Sequence, residues 1–317
     1  MISQAIKDGI IKALRTALML LKIMIPIYVG VTLLRHTAFF FWLAEKIEPA
    51  MRLFGLPGEA VVPIIVGAFS DEYATVAAMG GFSFNMAQAT IIAMVVLAFH
   101  GLPVETAITR KIGMPSLRIA LFRFGLAVLT GVIVSLLAAL FLGGNMPGTL
   151  SPPGESALSA PGIYSGAGGV FDAGWGLMFQ EMILGVLNTI FIILRVLIPL
   201  MIAIELMMKY RVIEAIANKL GFFCRLLGIG KDALLPLLVG LFLGVTFGAG
   251  AIAEMNRVRP LPKKDMALLG VFLFSCHGIF EATYLFALAG ANAIFVSVLR
   301  LAIAIGVTIA ARFVLRN

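Results

Sequence analysis

Two histidines stand in otherwise apolar sequence, each followed by a glycine and then, within a turn or so, by a carboxylate: His100 with Glu105, and His277 with Glu281. A neutral imidazole and a shielded carboxylate both titrate near neutral pH, and the same two residue types together bind divalent cations. His277 and Glu281 are four residues apart, a spacing that puts both on one helical face within reach of each other. His100 and Glu105 are five apart with Gly101 and Pro103 between them, and a proline there frees a carbonyl and bends a helix enough for the pair to converge. Three readings stand for these four residues: a proton-responsive gate, a metal site with all four as ligand candidates, or two hydrogen-bonded locks between helices.

A second group is Ser70, Asp71, Glu72 and Tyr73, with Thr75 just beyond; the stretch that aligns with it in the second half carries Thr246 and Gly248. Adjacent carboxylates at a membrane-embedded turn are expensive, roughly 2.5–3.5 kcal/mol for each charge at a helix centre, unless they meet water, a cation or a substrate amine. In a surface loop the same acids need no explanation, so both readings stay open. Asn85, Gln88 and Asn292 read as interhelical hydrogen-bonding residues. Arg123 reads as snorkelling to the cytoplasmic face, and Arg300, eight residues into the last apolar stretch, needs a partner or an anion. Arg35 and His36 read as packed against the bundle interior.

These groups need a setting, and composition supplies it. Of 317 residues, 61% are hydrophobic and only 13% charged, against about 45–50% and about 25% in an ordinary soluble domain. A soluble chain of this length has too little interior to hide that much apolar surface, so several segments must face lipid. A soluble enzyme, a nucleic-acid binder and a disordered scaffold are excluded as default readings. The net charge of +8, from 24 Lys and Arg against 16 Asp and Glu, then reports cytoplasmic loops and not an acidic partner. The two cysteines, Cys224 and Cys276, imply neither a disulfide framework nor a paired-cysteine metal motif.

Stretches near 20 apolar residues can cross a hydrocarbon core of ~30 Å; they occur at 20–43, 84–104, 117–143, 180–206, 266–288 and 292–312. Residues 2–22 read as an interfacial helix leading into the first span, with nothing removed as a signal peptide. Phe39–Phe41 and Trp42 read as an interfacial aromatic belt, and the sixteen methionines as lipid-facing or core filler. The segment 143–175, rich in Gly, Pro and Ser, is a linker, and with no Lys or Arg from 124 to 194 it is predicted outside the cell. Two further apolar stretches, 59–80 and 233–256, are interrupted by Gly, Pro or acid. Basic clusters flank 233–256 on both sides, Lys209 to Lys231 before it and Arg257 to Lys264 after it. That favours a hairpin that enters the membrane and turns back over a straight span packed through Gly240, Gly244 and Gly248.

The chain also repeats itself. GLPGEAVVPIIVGAF at 55–69 parallels GIGKDALLPLLVGLF at 228–242, and AFHGLPVET at 98–106 parallels SCHGIFEAT at 275–283. Pro63 and Pro236 are 173 apart, while His100 and His277, like Arg123 and Arg300, are 177 apart. Each half thus reads as span, surface segment, hairpin, span, span. Three complete spans per half insert the second half upside down, the plan on which many secondary transporters build alternating access. The expected fold is an all-α polytopic membrane protein with about six spans, two re-entrant hairpins and interfacial helices. Residues 1–142 form the first repeat with its N-terminal interfacial helix, 143–175 the non-cytoplasmic linker and 176–317 the second, inverted repeat.

GLPGEAVVPIIVGAFSDEYATVAAM, AFHGLPVETAITRKIG and their second-half partners resemble the nucleoside recognition, or gate-domain, membrane proteins. Relatives of that family include the spore maturation membrane proteins, the membrane part of the bacterial ferrous-iron transporter B and the core of concentrative nucleoside transporters. The resemblance covers nearly the whole chain outside the linker. It implies two re-entrant hairpins meeting near the membrane centre and specifies fold more than substrate.

The leading functional reading is a transporter or channel for a small solute, nucleoside-like or a divalent cation, working through the hairpin tips and the His–Glu pairs. The alternative is a non-transporting assembly or regulatory subunit on the same scaffold. The chain lacks H-E-x-x-H, G-x-S-x-G and a P-loop, so an enzyme is not expected, and a gradient or a partner subunit would drive any transport. No cofactor is expected beyond a coupling H+ or Na+. The expected partners are the lipid bilayer, a small-molecule or ion substrate and a second copy or another membrane subunit, with no nucleic acid. The expected location is a bacterial or archaeal inner membrane, with both termini cytoplasmic.

Overall fold

The computed structural model describes residues 2–35, 37–111, 116–141, 175–258 and 260–315; the linker expected at 143–175 lies outside them except for Trp175, which opens a helix. Among the described residues the chain is helical with no strand, as backbone without water to bond must be. In order the helices are α1 (Ile2–Arg35), α2 (Ala38–Arg52), α3 (Val61–Phe69), α4 (Glu72–Met79), α5 (Met86–Phe99), α6 (Leu102–Lys111) and α7 (Ser116–Phe141). They continue as α8 (Trp175–Lys209), α9 (Val212–Lys219), α10 (Gly221–Leu227), α11 (Leu234–Val258), α12 (Lys263–Ser275), α13 (Ile279–Leu288) and α14 (Ala293–Val314).

Among the described residues four stretches are long and apolar enough to cross a membrane: Met86–Ala107, Ser116–Leu137, Lys263–Leu288 and Ala293–Val314. They match four of the six expected spans, and the chain is an all-α polytopic membrane protein. The spans fall into two kinds. Met86–Ala107 and Lys263–Leu288 are each 72% buried within the protein, whereas Ser116–Leu137 is 33% and Ala293–Val314 22% buried. Ala89 through Phe99 are all buried; α5 is apolar on every side and is a central helix. By contrast α7 exposes Leu117, Leu121, Phe124 and Leu136, and α14 exposes Ile294, Val298 and Phe313, a continuous apolar face of the kind lipid covers. Each outer helix packs on an inner one, α7 on α5 and α14 on α12.

The N-terminal region departs from expectation. No separate interfacial helix precedes the first span: α1 is a single helix of 34 residues, and the apolar stretch read as 20–43 is broken after Arg35. There Thr37 caps a new helix, its side chain accepting from Phe40 N–H, and the Ile25–Leu34 part of α1 meets α2 at 84°. The side chains of Arg35 and His36 lie outside the described residues. Phe40 on α2 is buried and stacks on Phe82, while Phe39 and Trp42 are exposed. The helix α8 runs for 35 residues over the expected span 180–206 and lies antiparallel along α1: Gly9 sits against Ile202, Lys12 pairs with Glu205, and Gly185 sits against Tyr28.

Candidate functional site at the convergence of four helix breaks

The two inner spans are discontinuous at equivalent places. In the first, α5 ends at His100, whose backbone is extended (φ −60°, ψ 159°), and Gly101 follows at φ +59°. In the second, α12 ends at Cys276, and Gly278 at φ +54° starts α13. A left-handed backbone costs an ordinary residue roughly 1–2 kcal/mol, which is why glycine follows each histidine. Pro103 falls in the first turn of α6, where no N–H is needed; it starts a helix and does not bend one.

Each break is fastened to a second one. Gly101 N–H donates to Gly67 O at 2.9 Å and Gly278 N–H to Gly240 O at 3.3 Å. Gly67 lies on α3 and Gly240 on α11, one turn before those helices break in turn. The α3–α4 break falls at Ser70–Asp71, where the Asp71 carboxylate caps α4 by accepting from Ala74 N–H at 2.7 Å. Helix α11 breaks at Gly244 (φ 75°, ψ 167°), which aligns with Asp71 at the same offset as Pro236 with Pro63. Helices α3 and α4 pack on each other, Gly67 against Thr75, so residues 70–75 form a turn inside the bundle and not a surface loop. The backbone around Thr246 and Gly248 is helical, and their side chains lie outside the described residues.

Where the four breaks meet, the two histidines touch. Nε2 of His100 and Nε2 of His277 are 3.2 Å apart, with ring centroids 5.0 Å apart. Each Nδ1 faces the carbonyl four residues back, Val96 O at 3.2 Å for His100 and Leu273 O at 2.8 Å for His277. Equivalent atoms meeting each other are the mark of a local two-fold relation. Glu105 joins both rings, its Oε1 lying 3.2 Å from His277 Nε2 and 3.5 Å from His100 Nε2. Glu72 Oε2 lies 3.2 Å from His100 Nε2. Glu281 does not pair with His277; the break at Gly278 takes it off that face, and it accepts instead from the Tyr73 hydroxyl on α4. The predicted His100–Glu105 pair is present, with Glu105 serving His277 as well, whereas the predicted His277–Glu281 pair is not, Glu281 serving the opposite hairpin. Thus Asp71, Glu72, Tyr73, His100, Glu105, His277 and Glu281 stand at or beside this point, and Ser70 contributes its carbonyl, against which a Cβ on Gly101 would lie at 3.2 Å.

Arg123 on α7 does not snorkel. It is 1% exposed, donates Nε to Ala98 O at 3.2 Å and NH2 to His100 O at 2.7 Å, and places NH1 2.6 Å from Glu105 Oε2. Those carbonyls are ones that the break in α5 and α6 sets free, so the guanidinium is held where a broken helix needs donors. Arg300 on α14 donates NH2 to His277 O at 3.0 Å, while its buried Nε and NH1 have no hydrogen-bond partner among the described residues. Sequence reasoning missed these roles, although the shared offset of the two arginines with the two histidines carried the signal. Asn85 and Gln88 form a capping box on α5 and not an interhelical bond. Asn292 caps α14, and its N–H reaches Thr90 Oγ1 on α5 at 2.9 Å.

The comparisons with known proteins follow this architecture. Residues 17–139 match the family model described as Gate: Nucleoside recognition, a region that takes in the first hairpin, the first broken span and α7. The chain is 29% identical over 281 residues to the uncharacterized membrane protein YvoD of Bacillus subtilis (strain 168), an alignment covering 88% of this chain and 84% of that protein. No solved structure matches the chain. The chain is a multi-pass membrane protein whose residues 17–139 are similar to the Gate (nucleoside recognition) family.

Proposed function

We propose that this protein is a transporter or channel for a small solute, gating where the four helix breaks converge. The carrying observation is that Ser70–Asp71, His100–Gly101, Gly244 and Cys276–Gly278 all interrupt helices around one buried cluster of ionisable side chains. Non-helical backbone is tolerated at membrane depth only where protein buries it or a cavity needs it, and intramembrane charges mark solute and ion pathways. Discontinuous helices that offer free N–H and C=O groups are how secondary transporters build binding sites. Residues 1–142 and 176–317 are read as two copies of one unit in opposite orientation, in an inner membrane with cytoplasmic termini. A coupling H+ or Na+ fits a chain with no nucleotide-binding motif.

A scaffold reading, a non-transporting assembly or regulatory subunit, draws on Arg123, whose guanidinium is committed to Ala98, His100 and Glu105. Flux separates the two. Purified protein in proteoliposomes is assayed for uptake of nucleosides, divalent cations and small organic acids, with and without a pH gradient. The transport reading expects saturable uptake of one class, lost in Glu281→Gln at unchanged membrane expression; uptake no greater than in protein-free vesicles, and the same in that variant, supports the scaffold. Orientation is tested by impermeant thiol labelling of Ala160→Cys from outside and Pro260→Cys from inside, and labelling of both from one face contradicts the inverted arrangement.

A further inference from the structure

The four groups at the meeting point present a problem of hydrogen count. Each histidine Nδ1 faces a carbonyl oxygen, which can only accept, so each Nδ1 carries its ring's hydrogen and each Nε2 of a neutral imidazole presents a lone pair. The two Nε2 atoms nevertheless lie 3.2 Å apart, with Glu105 Oε1 3.2 Å from one and 3.5 Å from the other and Glu72 Oε2 3.2 Å from His100 Nε2. The two Nε2 atoms and Glu105 Oε1 all face one another at these separations, while Glu72 Oε2 faces His100 alone, and such acceptors repel unless something positive lies among them. A single proton serves one of the contacts. A metal ion serves all three groups that face one another.

Geometry carries the choice. Ligands about 2.0–2.2 Å from a tetrahedral ion such as Zn2+ stand roughly 3.3–3.5 Å from one another, and the three separations among His100 Nε2, His277 Nε2 and Glu105 Oε1, 3.2–3.5 Å, match one face of such a tetrahedron. The ligand atoms of His100, Glu105 and His277 all lie within 4.8 Å of one another, and all three residues are buried. The surroundings are those of a ligand set: each imidazole donates its second nitrogen to a backbone carbonyl, which fixes the tautomer that ligation requires, and Arg123 binds the far oxygen of Glu105, leaving Oε1 free to face the histidines. Arg123 and Arg300 are the charges that oppose a cation, and Glu105 and Glu72 lie within electrostatic range to offset them.

We propose that His100 Nε2, His277 Nε2 and Glu105 Oε1 form a three-residue site for a divalent transition-metal cation, with a fourth position open to solvent or solute, which ties the break in one inner span to the break in the other. Because these residues also belong to the gate reading, binding and flux are measured separately.

Chelator-treated full-length protein in detergent is titrated with Co2+ and Zn2+. The expected result is one ion per chain, with the intense visible absorption of tetrahedral Co2+, displaced by Zn2+. His277→Asn retains a donor for Leu273 O and loses the Nε2 ligand. Losing even an outer-shell partner costs 10–100-fold in affinity, so this variant and Glu105→Gln are expected to weaken binding at least about 100-fold while eluting as folded protein. The exposed Glu48→Gln is expected to bind as wild type does. If His277→Asn fails to fold, His100→Asn supplies the same comparison from the other inner span. No ion bound, weak six-coordinate Co2+ absorption, or equal binding in the variants overturns the site and leaves a shared proton as the account of the contacts. Binding without uptake in vesicles overturns the transport reading and not the site; uptake with no bound ion does the reverse.

Discussion

Arg123 and Arg300 occupy the same place in the two halves and do different work. Both guanidinium groups donate to the carbonyl of the histidine at the helix break, at 2.7 Å in the first half and 3.0 Å in the second. Only Arg123 also meets a carboxylate. Glu105 stands five residues after His100, but the residue five after His277 is Ala282; the second half places its acid one residue earlier, at Glu281, which faces Tyr73 instead. The hairpins differ in the same manner, the first break being capped by the Asp71 side chain and the second made by Gly244 in a conformation that only glycine adopts readily. The backbone device is thus kept in both halves while the charges are divided between them. One half holds a closed ion pair, and the other holds a buried cation with two idle donors.

That contrast can be broken most forcefully at the arginines. Arg123→Met strands Glu105 in the interior, and breaking a buried pair by removing one partner costs about 3–5 kcal/mol. Arg300→Met removes one hydrogen bond together with two unsatisfied donors and is expected to cost about 1 kcal/mol or less. Thermal unfolding in a fixed detergent checks the order, and equal losses would erase the distinction between the halves. A sharper version supplies the missing acid: Ala282→Glu, combined in a double-mutant cycle with Arg300→Met, is expected to show a favourable coupling of about 0.5–3 kcal/mol, whereas additive effects would mean that the two sites do not face each other.

Glycine replacements rank below Arg123→Met. Gly244→Ala is expected to cost about 1–3 kcal/mol, because its φ and ψ lie in a region essentially confined to glycine. Gly101→Ala and Gly278→Ala are expected near 1–2 kcal/mol, with Gly101 the more sensitive because its added Cβ would lie 3.2 Å from Ser70 O. The smallest effect belongs to Asp71→Ala, which removes a helix cap worth about 1 kcal/mol. Melting temperatures of the four variants, taken together, test whether the breaks are built as unlike as they look.

Much of this was legible in the residues. Lipid-facing composition and the length of apolar runs located four spans, and the offset of 177 between the histidines located the meeting point, because a repeated ionisable residue in apolar surroundings has few places to go. What sequence spacing could not carry was the partner of each charge. His277 and Glu281 have ideal helical separation, yet Gly278 interrupts the helix between them and the periodicity argument fails at that residue. Arg123 lies near a run of cytoplasmic charge, which suggests an exit to the interface; the free carbonyls of Ala98 and His100 hold it inside. Thr37 caps α2, but the apolar run on either side of it masks the bend in the sequence.

The claim that the breaks form a gate is tested most directly at Cys276, which is fully buried beside His277. In vesicles of protein carrying Cys224→Ala, the rate at which a membrane-impermeant thiol reagent modifies Cys276 is followed from each side in turn. A gate predicts slow but measurable modification that the transported solute changes; a thiol that stays unmodified from both sides, under every condition that preserves the folded protein, would contradict it.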